Sequence, residues 1–343
     1  MFSVVIPLFN KAPTIAGTVA SVLAQDFEDF EIVIINDGST DGGPEMVRSA
    51  FRDSRIRIVD QQNQGVSVAR NHGVAIAERE LVAFLDGDDL LLPGYLRAMR
   101  AVAEEFPDAG MLCCAGFTAL PDGSGYTRYL PRYGIRNQII DYFANPWFFS
   151  NSSSTVVRRV AFDLEGGFPL GMQHWEDHAF FQTLAQHVSV AYCPIPLSVI
   201  RRGFGGHASS SPSAGYENYA RKTEIVYSAW TALEADRRNP LVPEFLVRDV
   251  RNHVLQLLRR RDDDNLTLLI ERTAPVLGRH VGAKEWRLYA DRRLRAAAFF
   301  WLYSMKIADR AKLYPRVRFT RRLGPAVMSL LKGTSRAVAT DRL

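Results

Sequence analysis

Four short β-branched runs, each followed by a cluster of small and polar residues, constrain the fold of this 343-residue chain more than any other feature. The runs are Ser3–Pro7, Glu31–Ile35, Arg55–Val59 and Leu81–Leu85, and helical stretches separate them. Ile15, Val19, Val22 and Leu23 recur at i, i+4, i+7 and i+8, which is one face of a helix. Asp41-Gly42-Gly43-Pro44 supplies a second helix start with proline in its first turn, and Ser67 precedes an Ala/Val-rich stretch reaching about Ala77. Strand, helix and strand at this spacing require right-handed crossovers and predict a doubly wound, mostly parallel α/β sheet. Ligands of such sheets bind beyond the carboxyl ends of the strands, so the residues just after each strand are the ones to read for chemistry.

Those residues are polar in all four places. They are Phe9-Asn10-Lys11, Asn36-Asp37-Gly38-Ser39-Thr40-Asp41, Gln61-Gln62-Asn63-Gln64-Gly65 and Asp86-Gly87-Asp88-Asp89. No Gly-x-Gly-x-x-Gly follows the first strand and no Gly-x-x-x-x-Gly-Lys-Ser/Thr occurs, so a dehydrogenase and a P-loop nucleotidase both lose ground. Asp86 and Asp88 leave an apolar strand directly. Read as chemistry, they suit a hard divalent cation, Mg²⁺ or Mn²⁺, which takes one or two carboxylates and completes its shell with substrate phosphates. Read as structure, Asp88 or Asp89 caps the helix that follows Leu90-Leu91-Leu92-Pro93. Their place in a series of four polar strand ends favours the cation. Asp37 has the same two faces: a turn residue, or an acceptor for the ring N–H of a base such as uracil or guanine.

Val4-Val5-Ile6-Pro7-Leu8-Phe9-Asn10, then Ile34-Ile35-Asn36-Asp37-Gly38-Ser39-Thr40-Asp41, resembles the opening of a family 2 glycosyltransferase. Asn63-Gln64-Gly65 with Ala69-Arg70-Asn71-x-Gly73, and Phe84-Leu85-Asp86-Gly87-Asp88-Asp89, continue the resemblance in the family's order and spacing. It implies a GT-A fold over residues 1–212, with a nucleotide-sugar-binding half (1–100) and an acceptor half (101–212), followed by a basic helical region (213–343). Carried over by position, Pro7, Phe9, Asn10 and Asp37 bind the nucleotide-sugar, and Arg70 lies near base or phosphate. Asp86 reaches ribose or metal, and Asp88 ligates the metal that bridges the diphosphate. The family usually has tyrosine where this chain has Phe9; an aromatic face for the base survives. Arg70 also reads as a structural ion-pair partner of one of these aspartates.

Gly110–Phe117 reads as a buried strand whose cysteines fill core. Gly166-Gly167-Phe168-Pro169 is a turn, and Trp175-Glu176-Asp177-His178 opens a helix running through Leu184. Acids in a first turn are favoured by the helix dipole. By resemblance, however, Asp177 is the general base and Glu176 supports it. An acceptor hydroxyl must lose its proton as it attacks, and a single carboxylate opposite the leaving group gives inversion. Arg201–Ser210 is a basic, glycine-containing segment of the kind that folds over the diphosphate in similar proteins. Its His207 is either a metal or phosphate contact or a solvated loop residue. No Gln-x-x-Arg-Trp occurs, which by family analogy argues against a processive polymerase.

Residues 240–343 carry 22 Lys+Arg against 10 Asp+Glu, whereas the first 239 carry 20 against 27. Leu246, Val250, Val254 and Leu257 share a helix face, and Arg259–Asp264 marks an exposed junction. The segment Ala296–Ala308, flanked by arginines, is either a buried helix or an interfacial one suited to an anionic bilayer surface. The start of the sequence lacks a secretory pattern, no run approaches the roughly 20 apolar residues of a membrane span, and three cysteines suit a reducing compartment. A cytoplasmic protein, peripheral on a membrane through its basic end, is the expectation. No nucleic-acid motif occurs, and a nucleic-acid partner is not expected.

The sequence therefore predicts an inverting, non-processive, metal-dependent transferase. Its donor is a nucleotide-diphospho-sugar, a UDP-sugar first, and its acceptor a glycan or lipid-linked glycan of cell-surface polysaccharide or glycolipid synthesis. A sugar-phosphate nucleotidyltransferase and a non-catalytic nucleotide- or glycan-binding protein at a membrane are the alternatives.

Overall fold

The computed structural model describes residues 1–145, 149–204 and 214–313. Strands β1 (Phe2–Leu8), β2 (Phe30–Asp37), β3 (Ile56–Gln61) and β4 (Leu81–Phe84) alternate with helices α1 (Ala12–Leu23), α2 (Gly43–Ala50) and α3 (Val66–Ile76). These four strands run parallel in the order β3-β2-β1-β4, so their polar ends emerge on one side of the sheet. Each strand runs within two residues of its expected bounds. The alternation of β1 divides the core: Val5 faces α3 and the later helices, while Val4 and Ile6 face α1 and α4 (Tyr95–Glu105).

The sheet continues without a break. Strand β5 (Leu90–Leu91) leads into α4, and β6 (Ala109–Ala119), β7 (Gly125–Arg128), β8 (Gln138–Ile140) and β9 (Thr155–Arg158) follow. Helices α5 (Arg159–Glu165) and α6 (Glu176–Leu184) precede the long β10 (Ser189–Arg201). Strand β9 inserts antiparallel between β4 and β6, giving the order β3-β2-β1-β4-β9-β6-β10-β5. The four parallel strands and the mixed later strands are thus one sheet. The three cysteines are buried, and burial pushes the Cys113 thiol up to about 12, as core filling requires.

Close approach explains one glycine of the third strand-end motif. A Cβ at Gly73 would lie 2.4 Å from Val5 Cγ1, so only glycine lets α3 seat on β1 and β2.

Helices α7 (Ala214–Ala232), α8 (Leu241–Arg260), α9 (Asp263–Leu277), α10 (Ala283–Ala290) and α11 (Arg295–Leu313) form the basic region. Leu246, Val250, Val254 and Leu257 of α8 are all buried, as their spacing requires. The run at 259–264 is the junction between α8 and α9, with Arg261 in left-handed geometry and Asp262 capping α9 through the Asn265 N–H. The region is not a separate body. Phe245 of α8 packs edge-on against Phe143, with centroids 5.4 Å apart, and its buried face joins the core beneath the later sheet. Helix α11 splits its face: Ala298 and Leu302 are buried, whereas Phe300, Trp301 and Tyr303 are exposed. No helix among the described residues is long and apolar enough to cross a membrane.

Candidate active site

The ends of β1, β2 and β3 are laced together by short polar side chains. Asn10 adopts φ 51°, a left-handed geometry that asparagine tolerates. Its N–H donates to Ser39 Oγ (3.1 Å) and its Oδ1 accepts the Thr40 N–H (2.9 Å), joining the first two loops. Asp37 is buried and joins the second to the third: Oδ1 accepts from Gln61 Nε2 and Gln64 N, and Oδ2 from Gly65 N, all within 2.9 Å. Asn10 and Asp37, which the resemblance assigns to the nucleotide-sugar, therefore brace the three strand-end loops against one another. Beside them Phe9 is 47% exposed, an apolar face held open at the sheet's edge, while Pro7 lies half-buried in β1.

The carboxylates after β4 are held one by one. Asp86 Oδ1 accepts from Arg70 Nη2 and Asp88 Oδ2 from Lys11 Nζ, at 2.7 and 2.6 Å. Asp89 is turned inward, where Ser153 Oγ and the Arg201 N–H donate to it. Burial, with the charges of Asp88 and Asp86, pushes Asp89 well above the usual carboxylate range. It stands behind the site as a buried acid. Asp86 is pushed up by burial and by Asp88 and Asp177, against the pull of Arg70, with a net rise.

Arg70 is the hinge of the arrangement. It is 3% exposed, and its other nitrogen, Nη1, donates to Glu176 Oε1 at 2.7 Å, 106 residues away in sequence. Burial opposes its charge, but Asp86, Glu176 and Asp177 outweigh burial and hold the guanidinium above its ordinary value. Arg70 is thus the ion-pair partner of a strand-end aspartate, and both ends of its fork are occupied by protein. The neighbouring Asn71 clamps the later turn: Oδ1 accepts the Phe168 N–H and Nδ2 donates to the Phe168 carbonyl, at 2.8 and 2.9 Å. Gly167 sits at φ +91°, and a Cβ there would meet Asn71 Oδ1 at 2.7 Å.

These two contacts bring α6 to the carboxylates. Asp177 lies half-buried in its first turn, and Oδ1 accepts the His178 N–H at 2.7 Å. Asp86, Asp88 and Glu176 each face a cation, whereas Asp177 forms no ion pair among the described residues. It is close enough to Asp86 and Arg70 for its charge to act on both. His207 lies outside the described residues. Arg201, the first residue of the segment containing it, is buried, with Nε donating to the Asp88 carbonyl and Nη2 to Thr14 O and Thr18 Oγ1. It fixes the aspartate loop from behind.

Ser153 carried no signal, and although Lys11 closes the first strand-end cluster and Arg201 opens the basic segment, their contacts with Asp88 were not legible, since they join residues 77 and 113 apart in sequence. The donor set fits a hard cation in kind: two carboxylates, Asp86 and Asp88, at one strand end, oxygen donors only, with the charge of Asp88 and burial both disfavouring the ionised Asp86. Among the described residues no group of three or more His, Cys, Asp or Glu could hold a metal.

Residues 3–163 match the model of glycosyl transferase family 2. The chain is 34% identical over 209 residues to EpsH of Bacillus subtilis, described as a glycosyltransferase, covering 57% of this chain and 59% of that protein. It is 36% identical over 106 residues to the glycosyltransferase EpsJ of the same organism, covering 31% of each. The match thus spans about a third to three-fifths of these relatives' length. Among solved structures, S. aureus TarS 1–349 in complex with UDP-GlcNAc superposes with a TM-score of 0.68 at 19% identity, covering 93% of this chain and 97% of that one. The molecule is a GT-A protein with a helical C-terminal region. Its match to glycosyl transferase family 2 falls within the sheet-bearing part of the chain.

Proposed function

We propose that this chain is an inverting, non-processive glycosyltransferase that moves one sugar from a nucleotide-diphospho-sugar, a UDP-sugar, to a glycan or lipid-linked acceptor. One observation carries the reading: Asp177, which forms no ion pair among the described residues, follows directly on the Arg70–Glu176 pair beside the strand-end carboxylates. The donor's base lies along Phe9 and the loop that Asp37 organises, with Pro7 and Asn10 at its border. Asp177 accepts the acceptor hydroxyl's proton as that oxygen attacks the anomeric carbon. The sugar–phosphate bond breaks on the opposite face, and one base acting in line gives inversion. Lys11, beside Asp88, supplies positive charge where the diphosphate leaves. A divalent cation, Mn²⁺ or Mg²⁺, would be held by Asp88 with Asp86, and when bound it would neutralise charge growing on the diphosphate. His207 is a candidate further contact to phosphate or cation.

The donor is tested by incubating the protein with UDP-, GDP- and dTDP-sugars and Mn²⁺, following nucleotide release and thermal stabilisation. Release of UDP that Asp177→Asn abolishes supports the enzyme. Binding without release in every case would favour a non-catalytic nucleotide-binding protein.

The exposed face of α11 favours a site of action at the cytoplasmic surface of a membrane. Phe300 is 70% and Tyr303 51% exposed on a helix that opens at Arg295, itself paired with Asp263, and follows Arg292 and Arg293. Aromatics beside arginines suit an anionic headgroup layer. Such attachment would place the transferase beside lipid-linked acceptors of cell-surface polysaccharide or glycolipid synthesis. Sedimentation with vesicles containing anionic lipid, at low and high salt, tests it; no binding at low salt would overturn it.

A further inference from the structure

Trp175, the residue that opens α6, has φ 68°, a left-handed backbone that a bulky L-residue adopts only when its surroundings hold it there. Its surroundings come from the C-terminal helices. The indole meets Tyr219 of α7 edge-on (centroids 5.2 Å, 78°) and His253 of α8 likewise (5.2 Å, 82°). Lys222 Nζ stands 5.9 Å from its ring centre and 4.3 Å from that of Tyr219.

Behind these rings lies a dry ion pair. Lys222 Nζ and Asp249 Oδ2 are 2.7 Å apart, 0% and 1% exposed. His253 Nε2 lies 3.7 Å from the other oxygen of Asp249, and burial drives that imidazole down to about 4, leaving it neutral near pH 7. The far end of α6 is also tied to α7, since Gln186 Nε2 donates to the Val226 carbonyl at 3.1 Å. Helix α6 is therefore gripped twice: by Arg70 on Glu176 from the sheet side, and by the Lys222–Asp249 cluster on Trp175 from the helical side. Asp177 directly follows the two gripped residues, in the first turn of α6.

We infer that Lys222, Asp249 and Trp175 are positioning residues, and that the C-terminal helices hold the α6 carboxylate in register with the strand-end carboxylates. The inference rests on Asp177 being the base. A charged pair costs more to bury than an apolar pair of the same volume, so packing alone does not call for it. What the pair adds is direction. Lys222 can sit on Asp249 and over both rings only in one arrangement of α7 against α8, and Trp175 is fixed by that arrangement.

Trp175→Gly separates the ring from the backbone, because glycine accepts the left-handed geometry without strain. Lys222→Met/Asp249→Asn removes both charges together and leaves neither unpaired. Both proteins should keep a cooperative melt and bind UDP as the parent does. Hydrogen exchange of the amides at 175–180 should speed at least about 10-fold while those of β1 to β4 stay unchanged. UDP release from UDP-GlcNAc, with water as acceptor, should fall about 100-fold in kcat with KM little altered, the loss expected of a misplaced group. Trp175→Phe, which restores a ring, should recover most of it. Unchanged exchange at 175–180 in both variants would overturn the inference, with or without measurable turnover. Turnover retained in Asp177→Asn would instead overturn the base assignment, and the exchange result would still decide whether the cluster orders α6.

Discussion

Two buried cations flank the candidate base, and they are built differently. Arg70 forks between two carboxylates on separate elements, and one of them, Asp86, is still 35% exposed. Lys222 pairs with one carboxylate among the described residues, and both partners are fully buried. The first arrangement reaches the surface at Asp86, where solvent has access to the pair. The second lies in the core, where nothing can exchange without opening the helices. The difference separates a site's working charge from its scaffolding charge: a planar fork that reaches two acids is a junction, and a dry point-charge pair is a latch.

Breaking the comparison at its centre should have the largest effect. Asp177→Asn should lower sugar transfer or UDP release about 10²–10⁴-fold while leaving UDP affinity near its original value, measured by steady-state kinetics and calorimetry. Next come single-charge deletions at the latch. Lys222→Met or Asp249→Leu alone should cost about 3–5 kcal/mol in urea unfolding, because each strands a buried charge, whereas replacing both should cost far less. If the single and double replacements are equally costly, the pair is not a latch. Asp88→Ala should weaken Mn²⁺-dependent UDP binding by about 10–100-fold, the worth of a contact to a charged group, with little change when the metal is omitted.

Acid should read the two cations in opposite senses. Lys222 holds the folded Asp249 carboxyl below its ordinary value, against the opposing effect of burial. Its contribution is present above the unfolded carboxylate pKa near 4 and is lost as pH falls through the lower folded value. Glu176 is raised by burial despite Arg70, as is Asp86, so protonating them on descending toward pH 4 relieves a folded-state cost. Unfolding free energies measured from pH 7 to 3 should therefore lose part of their fall below pH 4 in Lys222→Met/Asp249→Asn. Arg70→Met should change the slope above it. The smallest effect expected is at the surface: Phe300→Ser/Tyr303→Ser should reduce binding to anionic vesicles and leave UDP release unaltered.

The strand-end pole of the molecule was largely legible, because its parts are local. A short apolar strand ending in Asp86-Gly87-Asp88-Asp89 announces itself within ten residues, and so does the helix opening at Glu176-Asp177. The exposed and buried faces of α8 were legible for the same reason. The aromatic segment of α11 was legible as a helix, though not in which aromatics it would bury; Leu302 turns in and Phe300 turns out. The latch was invisible. Lys222 and Asp249 lie 27 residues apart on two helices, and on either helix alone each reads as an ordinary polar residue.

The sequence by itself determined the parallel strands, the order of their polar ends and the acids available to them, since periodicity and turn chemistry act over a few residues. Only the tertiary structure decided how those acids are divided. Arg70 took Asp86 and Glu176, Lys11 took Asp88, Arg201 took the back of the aspartate loop, and Asp177 was left without a cation among the described residues. Charge pairing depends on distance in space and on burial, and neither is written in the spacing of residues along the chain.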